Sequence, residues 1–550
     1  MELTKDQRIE LACRDIIEYL IDHPDFKRKN ITQLKNRFVK QYHIKKTMPN
    51  SLIIKHATED ELELIQHMLR RRSTRTISGV TVVAVMTKPF QCPGDCIYCP
   101  GESSQPDDKA AKSYTGKEPA ARRSIRYDYD PYLQTKHRLM DQQAIGHNID
   151  KVELIVMGGT FLATPIAYQE SFIHGCYDAI YNYHEPNFND DVRTKSLDIV
   201  KKKLEKAKLR LVGLTIETRP DYCMEEHVNR MLYYGATRVE IGVQTTRESI
   251  LDNLSRGHTI QDTIDSIRIA KDAGLKINAH IMPNLPNSNL EDDLKDFEEL
   301  FNNPDFRPDM LKIYPTLVIE GTELYEMWIK GDYKSYSLQE SIDLVAKMKS
   351  KVPKYVRIQR IQRDIPAYLI MAGVNKSNLR QMVQQYMQET DRTCNCIRCR
   401  EQGFIKRIQK KQGKRNKKGI EFKKYKLQRL DYKASEGREV FLSFESKKDL
   451  LGYLRLRKPS NLSFRPELLK ETAVVREIRI VGEMVPKDED PTKNQVQHRG
   501  FGQRLLAEAE KIAKKEFHAK KLAVISGIGV REYFYNLDYK LDGVYVSKEL

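Results

Sequence analysis

Between residues 80 and about 315, short and nearly continuous apolar runs alternate with helix-length segments of mixed polarity. These runs predict six β-strands, at 79–86, 151–157, 209–216, 237–243, 275–281 and 309–314. Apolar strands that alternate with helices are typical of parallel βα units whose sheet is covered on both faces. Six units are too few for a closed eight-unit barrel, so we expect a partial (βα)6 barrel or an open doubly wound sheet. In both architectures ligands bind at the carboxyl ends of the strands.

The segments on either side of this α/β pattern predict other kinds of structure. Residues 1–75 have helical periodicity, and their basic stretch 27–46 mixes cations with Phe38 and Tyr42, which suits phosphates and unstacked bases but also an exposed helix face. Segment 340–390 again favours helix. We therefore expect four parts: a helical basic N-terminal region at 1–75, an α/β domain at 76–370, a basic cysteine-containing linker at 371–420 and a separate α+β domain at 421–550.

The composition is that of a globular protein with several cored domains. The 550 residues are 40% hydrophobic and 31% charged, with a mean hydropathy of −0.61, which excludes a collagen-like rod and a wholly disordered chain. Apolar runs stay well short of the roughly 18 residues that a membrane span needs, and the first residues do not form a secretion signal. We expect a cytosolic or nuclear protein without a membrane partner, and we assign it to the cytoplasm.

The charge balance favours a polyanionic partner. Lys and Arg number 94 against 76 Asp and Glu, so the formal net charge is +18. A generally lysine-rich proteome would give the same excess. The candidate phosphate contacts are the stretch 27–46, Arg70, Arg71, Arg72, Arg122, Arg123, Arg126 and the stretch 406–418.

Six of the nine cysteines form two tight triplets, which argues for thiolate metal ligands rather than disulfides. Cys92, Cys96 and Cys99 form a CxxxCxxC array directly after the first predicted strand. Three thiolates on an iron–sulfur cubane leave its fourth iron free to bind a small molecule. A structural zinc loop with a distant fourth ligand is the alternative. The array resembles that of the radical S-adenosylmethionine (SAM) superfamily, which implies a [4Fe-4S] cluster that binds and cleaves SAM.

Polar residues follow the next three predicted strands, at positions that a parallel sheet brings to one edge. They are Gly158, Gly159, Thr160, Glu217, Arg219 and Gln244. The two glycines let the main chain approach a ligand closely, and in the radical SAM superfamily this position contacts the amino group of SAM. Each group alone fits a helix cap or a salt bridge. Together they predict a SAM pocket.

The C-terminal part contains a glycine loop between a strand and an amphipathic helix. The candidate residues on this loop and the preceding strand are Gln497, Arg499, Gly500, Phe501, Gly502, Gln503, Glu477, Ile478, Arg479 and Ile480. Glycines and unpaired amides at a helix N-terminus can cradle a pyrophosphate. The loop resembles that of GCN5-related acetyltransferases, which implies acetyl-CoA with its pantetheine arm along the strand. A Rossmann nucleotide loop is the alternative, but it needs a βαβ unit.

The second triplet, Cys394, Cys396 and Cys399, lies in the predicted linker. A CxCxxC array among cations suits a structural zinc ion that fastens a segment with little core of its own. The fourth ligand is not evident, and the candidates are His56, Asp391 and Cys13.

Motifs along essentially the whole chain resemble the family of the Elongator catalytic subunit. Besides the first triplet they include DKVELIVMGGTF, IETRPDYC, EIGVQTT, RIQRDIP and QHRGFG. The resemblance implies an acyltransferase that uses a SAM-derived radical and acetyl-CoA to carboxymethylate carbon 5 of the wobble uridine in tRNA. It implies catalytic roles for Lys151 and Tyr533 beside the acetyl group. The expected partners are tRNA and an electron donor, with Elongator-like subunits or self-association as further candidates.

Two departures from the family pattern keep other functions open. Phe534, which we place with Tyr533 among the acetyl-CoA contacts, lacks the hydroxyl of the family's second tyrosine. Asn284 and Asn287 replace two glycines, although asparagine tolerates left-handed backbone better than most residues. The alternatives are a protein lysine acetyltransferase with a structural radical SAM module and a catalytically decayed tRNA-binding subunit.

Overall fold

The structure is a computed structural model. It describes residues 3–27, 30–45, 47–69, 78–101, 110–185, 194–405, 420–447, 449–469, 471–482, 485, 491 and 495–550. Three predicted basic sites lie wholly or partly outside the described residues: Arg70 to Arg72, the stretch 406–418, and positions 28, 29 and 46 of the stretch 27–46. Within the described ranges, no helix is both long enough and apolar enough to cross a membrane.

Four helices form the N-terminal region around a small core of their own: α1 Lys5–Asp22, α2 Ile31–Gln41, α3 Asn50–Lys55 and α4 Glu59–Leu69. Phe38 of the basic stretch is buried in this core. Lys35 is also buried and donates hydrogen bonds to the carbonyl oxygen of Met48 and the side chain of Asn50. Both residues hold the helices together, so the interpretation of Phe38 as a base-stacking residue is wrong.

Seven parallel strands form one curled sheet in the order β1-β2-β3-β4-β5-β6-β8, and β7 pairs with β9 in a separate two-stranded ribbon. Their bounds are β1 Val80–Met86, β2 Lys151–Met157, β3 Arg210–Thr218, β4 Ala236–Gln244, β5 Lys276–Ile281, β6 Met310–Ile313, β7 Val318–Ile319, β8 Arg357–Ile361 and β9 Ile370–Ala372. All six predicted strands are present, in sequence order. The sheet is a parallel half-barrel.

Twelve helices are described in this part of the chain, among or after the strands. They are α5 Pro119–Arg126, α6 Pro131–Ala144, α7 Ile166–Tyr181, α8 Leu197–Leu204, α9 Glu225–Tyr234, α10 Glu248–Asp252, α11 Ile260–Asp272, α12 Leu290–Asn302, α13 Glu323–Lys330, α14 Leu338–Lys351, α15 Leu379–Glu389 and the short α16 Ile397–Arg400. The helical prediction for 340–390 holds for α14 and α15 but is wrong between them. There β8 adds a seventh strand that the apolar pattern missed, because its sequence RIQRI is mostly polar and only partly buried.

The C-terminal part is a second seven-stranded sheet in the order β10-β11-β12-β13-β14-β16-β15, with a long helix against it. Its elements are β10 Lys426–Ala434, β11 Gly437–Glu445, β12 Leu450–Lys458, β13 Thr472–Ile480, α17 Phe501–Lys515, β14 Lys521–Val524, α18 Arg531–Tyr535, β15 Lys540–Asp542 and β16 Tyr545–Glu549. Most neighbouring strands are antiparallel, whereas β13 and β14 run parallel. This is the α+β composition that the sequence predicts.

The two faces of this C-terminal sheet are buried against different partners. Because side chains alternate along a strand, Leu454 packs with α17 whereas its neighbour Tyr453 packs into the core of the half-barrel. Val475 and Val474 divide in the same way. The sequence suggests a separate α+β domain. In the structure, side chains on one face of its sheet join the core of the half-barrel.

Buried ion pairs fasten that face to the half-barrel. Arg476 donates to both carboxylate oxygens of Asp309, the residue before β6, at 2.6 and 2.7 Å. Arg455 lies 3.5 Å from the same carboxylate, and Arg457 pairs with Asp272 of α11 at 2.6 Å. Burial alone raises the pKa of Asp309, but the charges of Arg476 and Arg455 lower it overall. Buried charges are costly unless paired, so these contacts fix the two sheets in one relative position.

Arg476→Met tests the energetic weight of this junction. The substitution leaves the Asp309 carboxylate buried beside fewer cations, so we expect the free energy of unfolding to fall by about 3–5 kcal/mol. The matched control is Arg438→Met in the same sheet, because Arg438 is 43% exposed in its ion pairs and such pairs contribute about 0–1 kcal/mol. Urea titration of both variants measures the difference. Equal midpoints for the two variants would contradict the assigned weight.

Candidate active site

A cavity of about 1010 Å³ runs along the inside of the half-barrel. Cys92, Cys96 and Cys99 line it at the carboxyl ends of the strands, and Arg479 and Val481 line it from the C-terminal domain. Glycines, thiols and many charged side chains share the same wall. The cysteine loop and the C-terminal sheet therefore open into one interior.

The first cysteine triplet lies on the loop that follows β1. Cys92 Sγ is 3.7 Å from Thr160 Oγ1, and Arg256 Nη1 donates to Cys96 Sγ at 3.5 Å. A hydrogen bond with Cys99 and the positive charge of Arg256 lower the pKa of the Cys96 thiol to about 5, against the opposing effect of burial. The same hydrogen bond and burial raise the pKa of the Cys99 thiol. The thiolate is the form that ligates iron, and Cys96 is the cysteine of this loop whose surroundings favour it.

The glycine pair after β2 lies beside this loop. Gly158 and Gly159 have φ angles of +115° and +53°, and a Cβ on Gly158 would lie 2.5 Å from Thr87 Oγ1. Gly159 and Thr160 line the cavity. Gln244, at the end of β4, also lines it with a φ of +70°, and its buried Oε1 has no hydrogen-bond partner among the described residues. A polar ligand at this rim would satisfy that acceptor.

Arg219 links the cavity wall to the cysteine loop. Its guanidinium donates to both carboxylate oxygens of Asp221 at 2.9 and 2.7 Å. A Cβ on Gly94, inside the CxxxCxxC loop, would lie 1.7 Å from Arg219 Nη1 and 2.8 Å from the carbonyl oxygen of Arg256. Within the described part of the chain, that Nη1 is buried without a hydrogen-bond partner. Only glycine lets the loop lie this close to Arg219.

A buried polar cluster on β3 to β6 includes Glu217, a predicted site residue, whereas its other members were not predicted from the sequence. Lys312 Nζ donates to Glu217 Oε1 at 3.0 Å and contacts Glu240, while His280 Nε2 lies 2.8 Å from Glu240 Oε2. Tyr114 donates to the second oxygen of Glu217 at 2.9 Å. Burial lowers the pKa of Lys312, but the carboxylates raise it overall. The sequence does contain a signal that could have found this cluster, because each of these four apolar strands carries a charged or polar residue.

The loop and strand predicted to bind acetyl-CoA come together in the C-terminal domain. β13 pairs with β12 as far as Ile480 but with β14 only as far as Val475. The β12–β13 pairing has a bulge at the point where β13 separates from β14. A Cβ on Gly502 would lie 3.2 Å from the Tyr533 hydroxyl and about 4 Å from Ile480 and Ile478. This geometry leaves a main-chain edge of β13 beside the N-terminus of α17.

The remaining predicted residues of this region divide between surface and core. Gln497 accepts a hydrogen bond from the Val485 amide, and the Arg499 guanidinium lies 4.4 Å from the centre of the Phe422 ring. Gly500 is the N-cap residue of α17, with a φ of +74°, and Gln503 is exposed. Glu477 is buried and accepts from Tyr453 and Arg455. Phe501 and Phe534 are both buried in the core under α17. A tyrosine hydroxyl at position 534 would need a buried hydrogen-bond partner, so a phenylalanine is favourable in this apolar core.

Lys151 lies at the start of β2, at the opposite end of the strand from the glycine pair. It is in register with Arg210 of β3, whose main chain would be 2.9 Å from a Cβ on Gly529 of the C-terminal domain. Gly529 is four residues before Tyr533. Burial lowers the pKa of Lys151, and the neighbouring Arg210 lowers it further. The lysine therefore lies near the junction with the predicted acetyl site.

The second cysteine triplet is compact. The Sγ atoms of Cys394, Cys396 and Cys399 all lie within 4.8 Å of one another. Among the described residues, no further His, Cys, Asp or Glu joins this group, so the structure does not bring Cys13, His56 or Asp391 to it. Cys13 instead contacts Met48 in the N-terminal core.

The segment that carries the second triplet also joins the two sheets. Glu401 forms a two-bond ion pair with Arg357 of β8 and a bridge with Leu450 of β12. Arg398, Glu401 and Phe404 line the shared cavity. The segment is thus part of the cavity wall as well as a connection.

Family models match three stretches of the chain. Residues 88–300 match the radical SAM superfamily, residues 308–389 the radical SAM C-terminal domain, and residues 9–77 the ELP3 N-terminal domain. Full-length relatives are also similar. The tRNA uridine(34) acetyltransferase of Methanocaldococcus jannaschii is 46% identical with complete coverage of both chains, and Elongator complex protein 3 of Homo sapiens is 42% identical over all of this chain and 98% of its own.

The chain belongs to the Elongator complex protein 3 family. A solved structure of a family member supports the assignment at the level of the fold. The Methanocaldococcus infernus Elp3 with an N-terminal deletion (1–46) is 45% identical, with a TM-score of 0.73, and the match covers 86% of this chain and all of that one. As an Elongator complex protein 3 relative, the chain carries a radical SAM domain, and the half-barrel is its structure.

Gly94→Ala tests the packing of Arg219 under the cysteine loop. The added methyl would overlap Arg219 and the main chain of Arg256, so the loop must move and we expect reconstituted iron to fall to less than about half. The matched control is Gly101→Ala near the same loop, where the nearest atom would lie 3.6 Å away. Anaerobic reconstitution with a chelator assay for iron measures both. Equal iron in the two variants would show that this contact does not shape the site.

Proposed function

We propose that this protein is a tRNA-modifying enzyme that uses SAM and acetyl-CoA to carboxymethylate carbon 5 of the wobble uridine. The observation that carries the proposal is the cavity shared by the cysteine loop and the C-terminal sheet, because the reaction needs both reactive ends in one space. The name of the Methanocaldococcus jannaschii relative supplies the substrate class, uridine 34 of tRNA.

Cys92, Cys96 and Cys99 would hold a [4Fe-4S] cluster, and their donor chemistry fits one. Three thiols converge on the cavity, and Arg256 offers a cation to Cys96. When bound, the cluster supplies the electron that cleaves SAM and so starts radical chemistry at the acetyl methyl group. Gly158, Gly159 and Thr160 would accommodate the amino acid part of SAM. The remaining candidates for SAM contacts are Glu217, Arg219 and Gln244, and the unpartnered atoms of the last two suit a polar ligand.

The C-terminal domain would bind acetyl-CoA in the manner of a GCN5-related acetyltransferase. The unpaired edge of β13 after Val475 suits the amides of the pantetheine arm, and the N-terminus of α17 at Gly500 suits the pyrophosphate. Tyr533, whose hydroxyl lies close to Gly502, would orient the acetyl group. Lys151, near the same junction, would contact acetyl-CoA from the half-barrel.

Arg479 connects this site to the radical site. It is one residue before the end of β13 and lines the shared cavity. An acetyl arm that follows β13 therefore leads toward the interior of the half-barrel. Exclusion of water protects reactive intermediates, which is the advantage of a shared interior over two separate pockets.

The compact second triplet would hold a structural zinc ion. Sulfurs bound to one tetrahedral zinc at about 2.3 Å lie about 3.8 Å apart, which fits three sulfurs within 4.8 Å. The ion would fasten the segment that carries Arg398 and Glu401 into the cavity wall. Its fourth ligand would come from outside the groups that the structure brings together.

tRNA would bind across exposed cations near the cavity and on the N-terminal helices. Arg122 and Arg126 are exposed on α5, and Arg123 of the same helix lines the cavity. Arg37 and Lys40 are exposed on α2. Affinity for phosphates of this kind weakens steeply with salt. An electron donor and, as the name Elongator complex suggests, further subunits are the other expected partners, in the cytoplasm.

Mass spectrometry of tRNA nucleosides tests the proposal. The full chain is reconstituted with iron and incubated without oxygen with tRNA, SAM, acetyl-CoA and a reductant. We expect carboxymethyluridine from the intact protein and none from Cys96→Ala, which lacks one cluster ligand. The matched control is Cys223→Ala, because Cys223 is a fully buried core thiol.

Equal product from intact protein and Cys96→Ala would contradict the radical chemistry. Acetylated protein without a modified nucleoside would favour the lysine acetyltransferase alternative. Retained tRNA binding with no SAM cleavage would favour the decayed subunit.

Gly502→Val tests the acetyl-CoA site. The branched side chain would fill the space between α17, Tyr533 and β13, so we expect the affinity for acetyl-CoA to fall by about tenfold or more. Ala507→Val also creates a valine, at an exposed position of the same helix, and is the matched control. Equilibrium dialysis with labelled acetyl-CoA compares them. Unchanged affinity in Gly502→Val would place the ligand elsewhere.

A further inference from the structure

The polar cluster on β3 to β6 contains Glu217, a candidate SAM contact, but its other members have no role in the proposed iron–sulfur and acetyl-CoA sites. Glu217, Glu240, His280 and Lys312 come from four successive strands, and all four line the cavity. The parallel register places them side by side, since Glu217 pairs with Glu240 and His280 with Lys312. They therefore form one continuous polar part of the cavity wall, called the polar wall below.

This wall has unused hydrogen-bonding capacity. An ammonium has three protons, and Lys312 uses two on Glu217 and Glu240, so one remains for a ligand. Glu240 is fully buried, yet its Oε1 accepts no hydrogen bond from the described residues, with Arg238 Nε at 3.6 Å. A spare donor thus lies next to a spare acceptor. Unmet polar groups in a buried site are costly, so a ligand that satisfies both gains affinity.

A uracil base carries the complementary pair on its Watson–Crick edge. Its O4 accepts a hydrogen bond and the adjacent N3–H donates one, whereas cytosine presents a donor and an acceptor in the reverse order. Enzymes that act on a base extrude it into a closed pocket and read that edge with hydrogen bonds. The wall also faces the cavity that holds the cysteine loop, where chemistry on the base would take place.

We propose that Lys312 and Glu240 read the imide edge of the target uracil, with Lys312 donating to O4 and Glu240 accepting from N3–H. Glu217 and His280 position these two side chains by holding Lys312 and the second oxygen of Glu240. The assignment rests on the proposed function, since it presumes that a tRNA uridine enters the cavity. It explains why a buried lysine and two carboxylates lie inside the barrel.

The first test changes the RNA and leaves the protein intact. Anticodon stem–loops that differ only at the target base carry uridine, cytidine or 3-methyluridine, which lacks the N3 proton. We expect the full chain to bind the uridine form about tenfold more tightly than either of the others. Fluorescence anisotropy at one fixed salt concentration gives the three affinities, because phosphate contacts are then the same throughout. Equal affinities would overturn the proposal without any question of folding.

The second test removes the donor. Lys312→Met should reduce the preference for uridine over cytidine to within about twofold, mainly by weakening uridine binding. Lys295→Met is the matched control, because Lys295 is exposed on α12 in an ion pair with Glu291, and the preference should stay at the intact value. A preference that survives in Lys312→Met would overturn the proposal, as would a loss of SAM affinity in that variant with the base preference unchanged.

These outcomes separate the inference from the proposed function. Base preference is a binding measurement, so it supports the polar wall even where no modified nucleoside is formed. Formation of carboxymethyluridine without base preference in binding would sustain the function and overturn the inference. Failure of the intact protein to bind any of the stem–loops would overturn both.

Discussion

The ion pair between Arg476 and Asp309 is the contact on which the rest of the architecture depends. Asp309 directly precedes β6, and Arg476 lies at the bulge where β13 leaves β14. One buried interaction therefore ties the half-barrel strand that carries Lys312 to the C-terminal strand that carries Arg479. Because an unpaired charge in the core is strongly destabilising, separation of the two sheets would cost free energy. A shared cavity is the geometric consequence.

The interior of the half-barrel contains buried charged residues that lower stability and are suited to binding or catalysis. Most of β4 is buried, yet it contains the charged residues Arg238 and Glu240. The Glu240 carboxylate is tolerated there because Lys312, His280 and Arg238 surround it. Such a network costs desolvation energy that a packed apolar core would not, which is typical of functional sites. The buried arginines of the C-terminal sheet have a structural role instead, because their ion pairs fasten this sheet to the half-barrel.

The parts that depend on local sequence were predictable. Apolar runs located six of the seven strands of the half-barrel, and the spacing of Cys92, Cys96 and Cys99 located the cysteine loop. β8 was missed because RIQRI lacks an apolar run, and Phe38 was misread because composition does not tell which face of a helix is buried. The union of the two cores was also missed. Tyr453 and Leu454 are neighbours in sequence, and only their partners reveal that one sheet serves two cores.

The central claim is that the acetyl group and the radical site meet in one cavity. Acetyl-CoA with a fully deuterated methyl group tests it directly, in a reaction with SAM, tRNA and a reductant. If the methyl group reaches the site where SAM is cleaved, mass spectrometry will find deuterium in the 5′-deoxyadenosine that is formed. Formation of 5′-deoxyadenosine without deuterium, while the nucleoside product accumulates, would contradict the account.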